Sequence, residues 1–205
     1  MSYLESNIWK KVCEVDTKYK KKVTDPHQKV LGNFSYFEEK CKQLEEIAIN
    51  NKPKRILEIG LNCGHSAAIM LASCPEAEFI SLDIGDRDYI IETAEMFKAD
   101  YPKFKFYRGD SKVTLRYAMT DFVGNIDLAL IDGDHTYVSV MSDLSYVIPR
   151  IGVNGLLLVD DVEIPEIAKA VNDSVGMNWK LENLIRAERY TKDRFSEAAL
   201  FRRLM

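Results

Sequence analysis

Arg55-Ile-Leu-Glu-Ile-Gly-Leu-Asn-Cys-Gly-His-Ser-Ala67 is the stretch that decides the fold of this chain. The apolar run around Glu58 predicts a buried strand, Gly60 and Gly64 predict a tight turn, and the residues after the turn begin a helix. The first N–H groups of a helix have no partner within the helix, so such a junction can hold a phosphate group or a cofactor. The stretch therefore predicts a ligand site at the end of the first strand.

Charge and glycine spacing narrow the class of ligand at this turn. Gly60 and Gly64 are four residues apart and do not form the G-x-G-x-x-G pattern of a dinucleotide site. Glu58 lies inside the strand, two residues before Gly60, where its carboxylate would repel a pyrophosphate. We expect a ligand that carries positive charge near the turn.

The composition predicts one domain with a sizeable core and excludes several classes of partner. The 205 residues include 28 basic and 32 acidic residues, a net charge of −4, which argues against nucleic acid as an obligatory partner. We find neither an apolar run of the ~18 residues needed to span a bilayer nor a signal peptide, so we expect no membrane association. Four cysteines without metal-ligand spacing favour free thiols and a cytoplasmic location: Cys13, Cys41, Cys63 and Cys74.

Apolar strands alternate with amphipathic helices from Lys54 onward. Strands are predicted over residues 55–59, 78–83, 105–108, 126–131 and 155–159, with helices between them and one more extending to Val175. This alternation is typical of βαβ units, which form a parallel sheet with helices on both faces. Residues 181–190 and 194–204 then predict a terminal antiparallel hairpin.

The first 33 residues are assigned to an N-terminal arm, and residues 34–205 to the folded domain. Residues 10–29 contain seven lysines and three acidic residues without sustained periodicity, which predicts a mobile or loosely packed arm. A solvated face explains such a charge run, and so does capture of a substrate or partner. The sequence is compatible with an arm that folds over the site as a lid and with one that joins a homodimer. An amphipathic helix follows, from Phe34 to Ala48.

An acidic residue follows every predicted parallel strand after the first. Ligands bind beyond the carboxyl ends of the strands in such a sheet, so these residues are expected at one edge. Asp and Ser also cap helices, which would explain any single member of the set, but we favour a functional role for the set as a whole. The segments are Asp83, Gly109-Asp110-Ser111, Asp132-Gly133-Asp134-His135 and Asp160-Asp161.

The position of each acidic residue suggests what it binds. Asp83 is placed to accept both hydroxyls of a ribose, as in dinucleotide folds, and Asp110 with Ser111 could then bond an adenine edge. Asp132, Asp160 and Asp161 would repel one another unless they are protonated or bridged by a cation. Oxygen ligands suit Mg²⁺, Mn²⁺ or Ca²⁺ better than zinc. In the metal-free alternative Asp132 binds the cofactor and the other two cap the next helix; we favour the metal.

With these residues the chain resembles the class I S-adenosylmethionine-dependent methyltransferases, which have a Rossmann-like, doubly wound, mostly parallel seven-stranded sheet with a C-terminal antiparallel hairpin. The segment Glu58–Gly64 resembles their E-x-G-x-x-x-G loop, and Leu57–Ala67 is similar to catechol-type O-methyltransferases. Ile131–Tyr137 and Leu158–Val162 are similar to the branch that methylates sugar hydroxyls in macrolide and aminocoumarin antibiotics. The resemblance covers about residues 34 to 205.

The resemblance implies S-adenosylmethionine as the cofactor and a divalent metal, with Mg²⁺ as the first candidate. The implied metal ligands are Asp132, Asp160 and Asp161; the catechol-type enzymes have Asn at the last position, so Asp161 matches the sugar branch. The implied reaction is in-line methyl transfer to a hydroxyl of a small molecule or sugar, which the metal would acidify and orient. The implied cofactor-binding residues are Glu58, Gly60, Leu61, Asn62, Cys63, Gly64, His65, Ser66, Asp83, Ile84, Asp110, Ser111 and Asp132.

Asp132 is expected to act in catalysis as a metal ligand. Two other residues compete for the role of the catalytic base. Asp134 matches the sugar branch, and His135 occupies the position of the catalytic lysine in the catechol branch; we favour Asp134. Two alternatives stay open for the function, namely a metal-independent O- or N-methyltransferase and a non-catalytic module that binds S-adenosylmethionine. A nicotinamide oxidoreductase is disfavoured by the glycine spacing.

Overall fold

A seven-stranded sheet with helices on both faces forms the structure, a computed structural model that describes residues 2–22, 38–188 and 195–205. The strand order is β3-β2-β1-β4-β5-β7-β6; the first five strands are parallel, and β7 runs antiparallel to both β5 and β6. The doubly wound sheet with a terminal hairpin is thereby confirmed. The strands are β1 Arg55–Ile59, β2 Glu78–Asp83, β3 Phe104–Arg108, β4 Ile126–Ile131, β5 Ile151–Val159, β6 Trp179–Glu188 and β7 Phe195–Arg203.

The helices divide between the two faces because successive strand residues point to opposite sides. Leu128 and Leu130 of β4 belong to the core under α1 to α4, whereas Ala129 and Ile131 belong to the core under α5 to α7. Each predicted helix from Gly64 onward is present within a few residues of its expected bounds. The helices are α1 Asn7–Lys22, α2 Glu38–Asn51, α3 His65–Ser73, α4 Asp88–Asp100, α5 Ser111–Ala118, α6 Tyr137–Val147 and α7 Pro165–Ser174.

The N-terminal segment differs from the loosely packed arm that we expected. Residues 7–22 form helix α1, and its buried residues Ile8, Val12 and Val15 pack in the core shared with α3 and α4. Their spacing of four and three residues is helical, while the lysines lie mainly on the exposed side, so the charge run hid the amphipathic pattern. The later part of the arm and the start of the predicted helix at Phe34 lie outside the described residues.

The strand order reverses between β1 and β4. From β1 the chain moves outward to β2 and β3 on one side, then returns to place β4 on the other side of β1. Because the crossovers on the two sides lie on opposite faces, a crevice opens beyond the carboxyl ends of these two strands. This is the edge at which the sequence places the glycine turn and the aspartates.

Two further features concern membrane-spanning helices and the state of the cysteines. Among the helices of the described ranges, we find none with the length and apolar character needed to cross a membrane. All four cysteines are free thiols, and three of them are buried.

Candidate functional site

The carboxyl ends of β1, β2, β4 and β5 are aligned at one edge of the sheet, because backbone hydrogen bonds between neighbouring strands continue one residue beyond the strand ends. The N–H of Gly60 donates to Leu82 O at 2.8 Å, and that of Asp132 donates to Ile59 O at 2.8 Å. A pocket of about 500 Å³ opens at this edge, within the range of roughly 300–1,000 Å³ common for small-molecule sites. Its lining comes from five parts of the chain: residues 59–62, 82–90, 109–112, 132–139 and Asp161. The lining residues are Ile59, Gly60, Asn62, Leu82, Asp83, Ile84, Arg87, Tyr89, Ile90, Gly109, Asp110, Ser111, Lys112, Asp132, Gly133, Asp134, His135, Ser139 and Asp161.

Gly60 allows β1 to leave the sheet directly against the end of β4. Its φ is +100°, and a Cβ atom at this position would lie 1.9 Å from the carbonyl oxygen of Asp132. No L-residue with a side chain fits there without displacing one of the two strands. The glycine in this turn is therefore required by close backbone approach as well as by conformation.

Glu58 lies beneath the turn instead of facing the pocket. Its side chain is fully buried, and its two oxygens accept hydrogen bonds from Ser66 Oγ and Ser81 Oγ, each at 2.6 Å. Burial raises the pKa of Glu58 to about 7, although the two serines lower it. The expected carboxylate is thus present, but it supports the turn from below and does not line the pocket that the described residues form.

The turn residues after Gly60 divide between two spaces. Asn62 reaches the large pocket, whereas the other turn residues line a small gap of about 10 Å³, together with Gly60, Asn62 and Asp132. The residues that reach only this gap are Leu61, Cys63, Gly64, His65 and Ser66. The predicted cofactor loop therefore borders two adjoining spaces, which share Gly60, Asn62 and Asp132.

His65 packs beneath helix α1 and away from the large pocket. Its ring meets that of Trp9 at a centroid distance of 5.2 Å, and its buried Nε2 has no hydrogen-bond partner among the described residues. Burial lowers the pKa of His65 to about 4, so the imidazole is neutral at pH 7. A structural role fits this histidine better than contact with a ligand.

Asp83 joins two loops at the end of β2. Its Oδ2 accepts the N–H of Asn62 and its Oδ1 accepts the N–H of Gly85, both at 2.9 Å. The carboxylate also lines the pocket, and each oxygen keeps a second lone pair for a ligand. The neighbouring Ile84 lines the same pocket with an exposed apolar side chain.

Asp110 has the capping role that we weighed as its structural explanation. It is the N-cap of α5 and accepts the N–H of Lys112 at 2.9 Å, while it lines the pocket beside Ser111. Lys112 also reaches Ser139 Oγ at 3.0 Å, so the lysine spans the pocket wall from α5 to α6. Sequence reasoning missed Lys112 and Ser139 because a lysine and a serine on amphipathic helices carry no distinctive signal.

Among the described residues, Asp132, His135 and Asp161 form a group of potential metal-ligand atoms. One atom from each lies within 4.8 Å of the others, and His135 Nε2 is 3.4 Å from Asp161 Oδ2. Burial, with the nearby carboxylates of Asp160 and Asp161, raises the pKa of Asp132 well above its usual range. Asp161 adopts a left-handed backbone with φ of +54°, and it does not cap α7, whose N-cap is Ile164. The predicted capping alternative for this aspartate is therefore wrong.

Asp134 is exposed and already engaged in the turn before α6. It accepts the N–H of His135 at 2.9 Å and the hydroxyl of Thr136 at 2.8 Å. Hydrogen bonds from Ser139 and Thr136 lower the pKa of Asp134, so it is ionised at pH 7 but weakly basic.

Asp160 lies outside this group and does not line the pocket, which corrects the expected set of three aspartate ligands, although its carboxylate still acts on Asp132 electrostatically. Only 6% of Asp160 is exposed, and its Oδ1 forms an ion pair with Nζ of the buried Lys40, a residue of α2. The structure therefore brings together Asp132 and Asp161 with His135 as the third donor, where we had expected Asp160.

Comparison with known proteins agrees with this architecture. Residues 57–162, more than half of the chain, match a family model described as a methyltransferase domain. No curated protein sequence matches the chain.

Solved structures of O-methyltransferases share the fold at low sequence identity. The O-methyltransferase TomG from Streptomyces achromogenes, solved with SAM, superposes with a TM-score of 0.73 at 12% identity, over 98% of this chain and 91% of its own. An O-methyltransferase from Bacillus cereus, solved with SAH, gives 0.69 at 11% identity, over 97% and 92% of the two chains.

Proposed function

Because the chain belongs to the methyltransferase-domain family, we propose that it transfers the methyl group of S-adenosylmethionine to a hydroxyl of a small molecule or sugar, with the help of a divalent cation. One observation carries this proposal. A single pocket has Asp83, Asp110 and Ser111 on one side and the group Asp132, His135 and Asp161 on the other. The first set suits a nucleoside, and the second suits an acceptor hydroxyl.

The cofactor would lie across the ends of β1 and β2. Asp83 would accept the ribose hydroxyls with its remaining lone pairs, and Asp110 with Ser111 would bond the adenine edge. Ile84 and Ile90 supply apolar surface for the adenine ring. The methionine end would lie toward Gly60, where the buried charge of Glu58 favours a ligand with an ammonium and a sulfonium group.

The residues present fit a divalent cation, by the chemistry of their donor atoms. Asp132 and Asp161 offer carboxylate oxygens and His135 offers an imidazole nitrogen, all within 4.8 Å. An added positive charge would also offset the burial of Asp132 and its repulsion by Asp160 and Asp161, which together raise its pKa. Mixed oxygen and nitrogen donors suit Mn²⁺ better than Mg²⁺ or Ca²⁺, which prefer oxygen alone. Such a cation, when bound, lowers the pKa of an acceptor hydroxyl and orients it.

Asp134 is the proton acceptor in this proposal. It is ionised, exposed and part of the pocket lining, two residues from Asp132. A weakly basic carboxylate can take a proton only from an acidified hydroxyl, so its role depends on the cation. Positioning of the acceptor against the methyl group would supply much of the remaining acceleration.

One observation favours a second candidate, a methyltransferase that needs no metal. His135 Nε2 lies 3.4 Å from Asp161 Oδ2, an arrangement in which a carboxylate orients an imidazole as general base. In that case Asp161 holds the histidine, and His135 itself takes the proton from oxygen or nitrogen.

A labelled-methyl assay separates the two candidates. Purified protein is incubated with methyl-labelled S-adenosylmethionine and a panel of hydroxylated acceptors, with EDTA or with Mn²⁺, and SAH binding is measured by calorimetry. The proposal expects SAH binding, activity restored by Mn²⁺, and a loss of at least about 100-fold in Asp132→Asn. Asp173→Asn, which changes an exposed carboxylate on α7, serves as the matched control.

Full activity in EDTA, lost in His135→Ala but kept in Asp134→Asn, would establish the metal-free route. Absence of SAH binding would overturn both candidates and leave a different ligand for the fold.

A further inference from the structure

Lys40 is a charged residue in the core directly behind the acidic edge. It lies on α2 and is only 1% exposed, whereas Lys42 on the same helix is solvated and pairs with Glu38. Lysine is almost never fully buried without a partner, because burial of an ammonium group is costly. The position of this lysine therefore calls for a specific reason.

The contacts of Lys40 extend in a chain to the pocket. Its Nζ forms an ion pair with Asp160 Oδ1 and donates to Ser196 Oγ at 2.7 Å. The Ser196 hydroxyl, having accepted from the lysine, donates its own hydrogen to Asp161 Oδ1 at 3.0 Å. The N–H of Asp161 in turn donates to Asp160 Oδ1 at 2.8 Å.

These contacts give the two neighbouring aspartates different partners. Asp160 is held inward by the ammonium group. Asp161 has one oxygen fixed by Ser196, which leaves Oδ2 directed toward His135 in the pocket.

We propose that Lys40 is a built-in counter-ion that withdraws Asp160 from the pocket and, through Ser196, aims Asp161 into it. Lys40 is then a positioning residue that sets the number of carboxylates offered to a cation. With the lysine in place the site offers Asp132, Asp161 and His135, and without it Asp160 becomes available as a further carboxylate. The inference rests on the proposed cation role for its functional meaning, but its test does not require methyl transfer.

Direct binding of Mn²⁺ to the full-length protein tests the proposal. Lys40→Met keeps the length of the side chain but removes its charge, so Asp160 is released and the Mn²⁺ affinity measured by calorimetry should rise at least about tenfold. The melting temperature in EDTA should fall, and its increase on addition of Mn²⁺ should exceed that of the wild type. A merely structural lysine would lower stability without any gain in cation affinity.

Three further variants keep the test decisive. Lys40→Met combined with Asp160→Asn should abolish the gain, because the released carboxylate is removed, and it also avoids an uncompensated buried charge. Ser196→Ala should keep the ion pair but weaken Mn²⁺ binding several-fold, since Asp161 loses its anchor. Lys42→Met is the matched exposed control and should leave Mn²⁺ binding unchanged.

The outcomes separate this inference from the proposed function. If Lys40→Met folds and binds Mn²⁺ no more tightly than the wild type, the counter-ion role is wrong. If Lys40→Met does not fold, an unchanged affinity in Ser196→Ala overturns the role in the same way. Wild-type activity that is insensitive to EDTA, together with a gain of Mn²⁺ affinity in Lys40→Met, would support the role of Lys40 and reject cation assistance.

Discussion

Replacement of Glu58 by glutamine should stabilise the free protein at alkaline pH while weakening the binding of a positively charged ligand. Glu58 is fully buried under the glycine turn, and burial raises its pKa from the ordinary 4.5 to about 7. A raised carboxyl pKa means that the folded state holds its proton at a pH where the unfolded chain has already lost it. The contribution of Glu58 to stability therefore falls as the pH rises from about 4.5 to about 7 and does not change further above that range.

The magnitude follows from the size of the pKa change. A rise from 4.5 to about 7 corresponds to roughly 3 kcal/mol, at about 1.36 kcal/mol per pKa unit. Glu58→Gln is nearly isosteric and can still bond Ser66 and Ser81, so it should recover most of this at pH 8 and much less at pH 5. For a chain of this size, that gain corresponds to an increase in Tm of roughly 6–12 °C at pH 8.

Urea unfolding of both proteins from pH 5 to pH 8.5, with SAH calorimetry at pH 8, checks this prediction. Glu78→Gln, which changes an exposed carboxylate at the start of β2, is the matched control and should not reproduce the stabilisation at pH 8. We expect the Kd for SAH to rise several-fold in Glu58→Gln, because the buried negative charge is lost. A variant less stable than wild type at pH 8, or a stability difference that does not grow with pH, would refute the reasoning.

Three further predictions concern the turn and the first helix. Gly60→Ala should lose several kcal/mol and SAH binding, as its Cβ would lie 1.9 Å from a backbone oxygen; a folded variant that binds SAH normally in calorimetry contradicts this. Asp83→Ala leaves two loop N–H groups without acceptors, so it should cost about 2–3 kcal/mol in urea unfolding and weaken SAH binding at least tenfold. Val12→Ala should cost about 2 kcal/mol because Val12 is completely buried, whereas Thr17→Ala on the exposed side of α1 should be neutral; equal effects would mean that α1 does not pack as described.

Much of the fold could be predicted because local periodicity reports local burial. The bounds of β1, β2 and β4 agree with the apolar runs that predicted them, since a buried parallel strand shows its apolar residues continuously. The error at α1 has a physical cause. Its apolar residues Ile8, Val12, Val15 and Tyr19 follow a helical spacing. The charge-rich segment 10–29, from which the loosely packed arm was predicted, leaves out the first of them.

Part of the candidate site could also be predicted, because the topology of a parallel sheet brings all strand ends to one edge. Asp83, Asp110, Asp132 and Asp161 all line one pocket, although their sequence positions span 78 residues between the first and the last, 161 − 83 = 78. What the sequence could not show is that the Glu58 carboxylate, placed beneath the turn, is fully buried and does not line the pocket. The depth of a side chain depends on which residues cover it, here Ser66 and Ser81.

The sequence by itself determined the order of the strands and helices, the glycine turn and the edge at which the acidic residues collect. These properties follow from the spacing of apolar residues and from the limited conformations of short turns. Only the tertiary structure decided which aspartates face the pocket. Asp160 and Asp161 are adjacent in sequence, but their side chains bond to residues that are distant in sequence: Lys40, 120 residues before Asp160, and Ser196, 35 residues after Asp161. A buried charge takes the direction of its counter-ion, and no local pattern encodes a partner that distant.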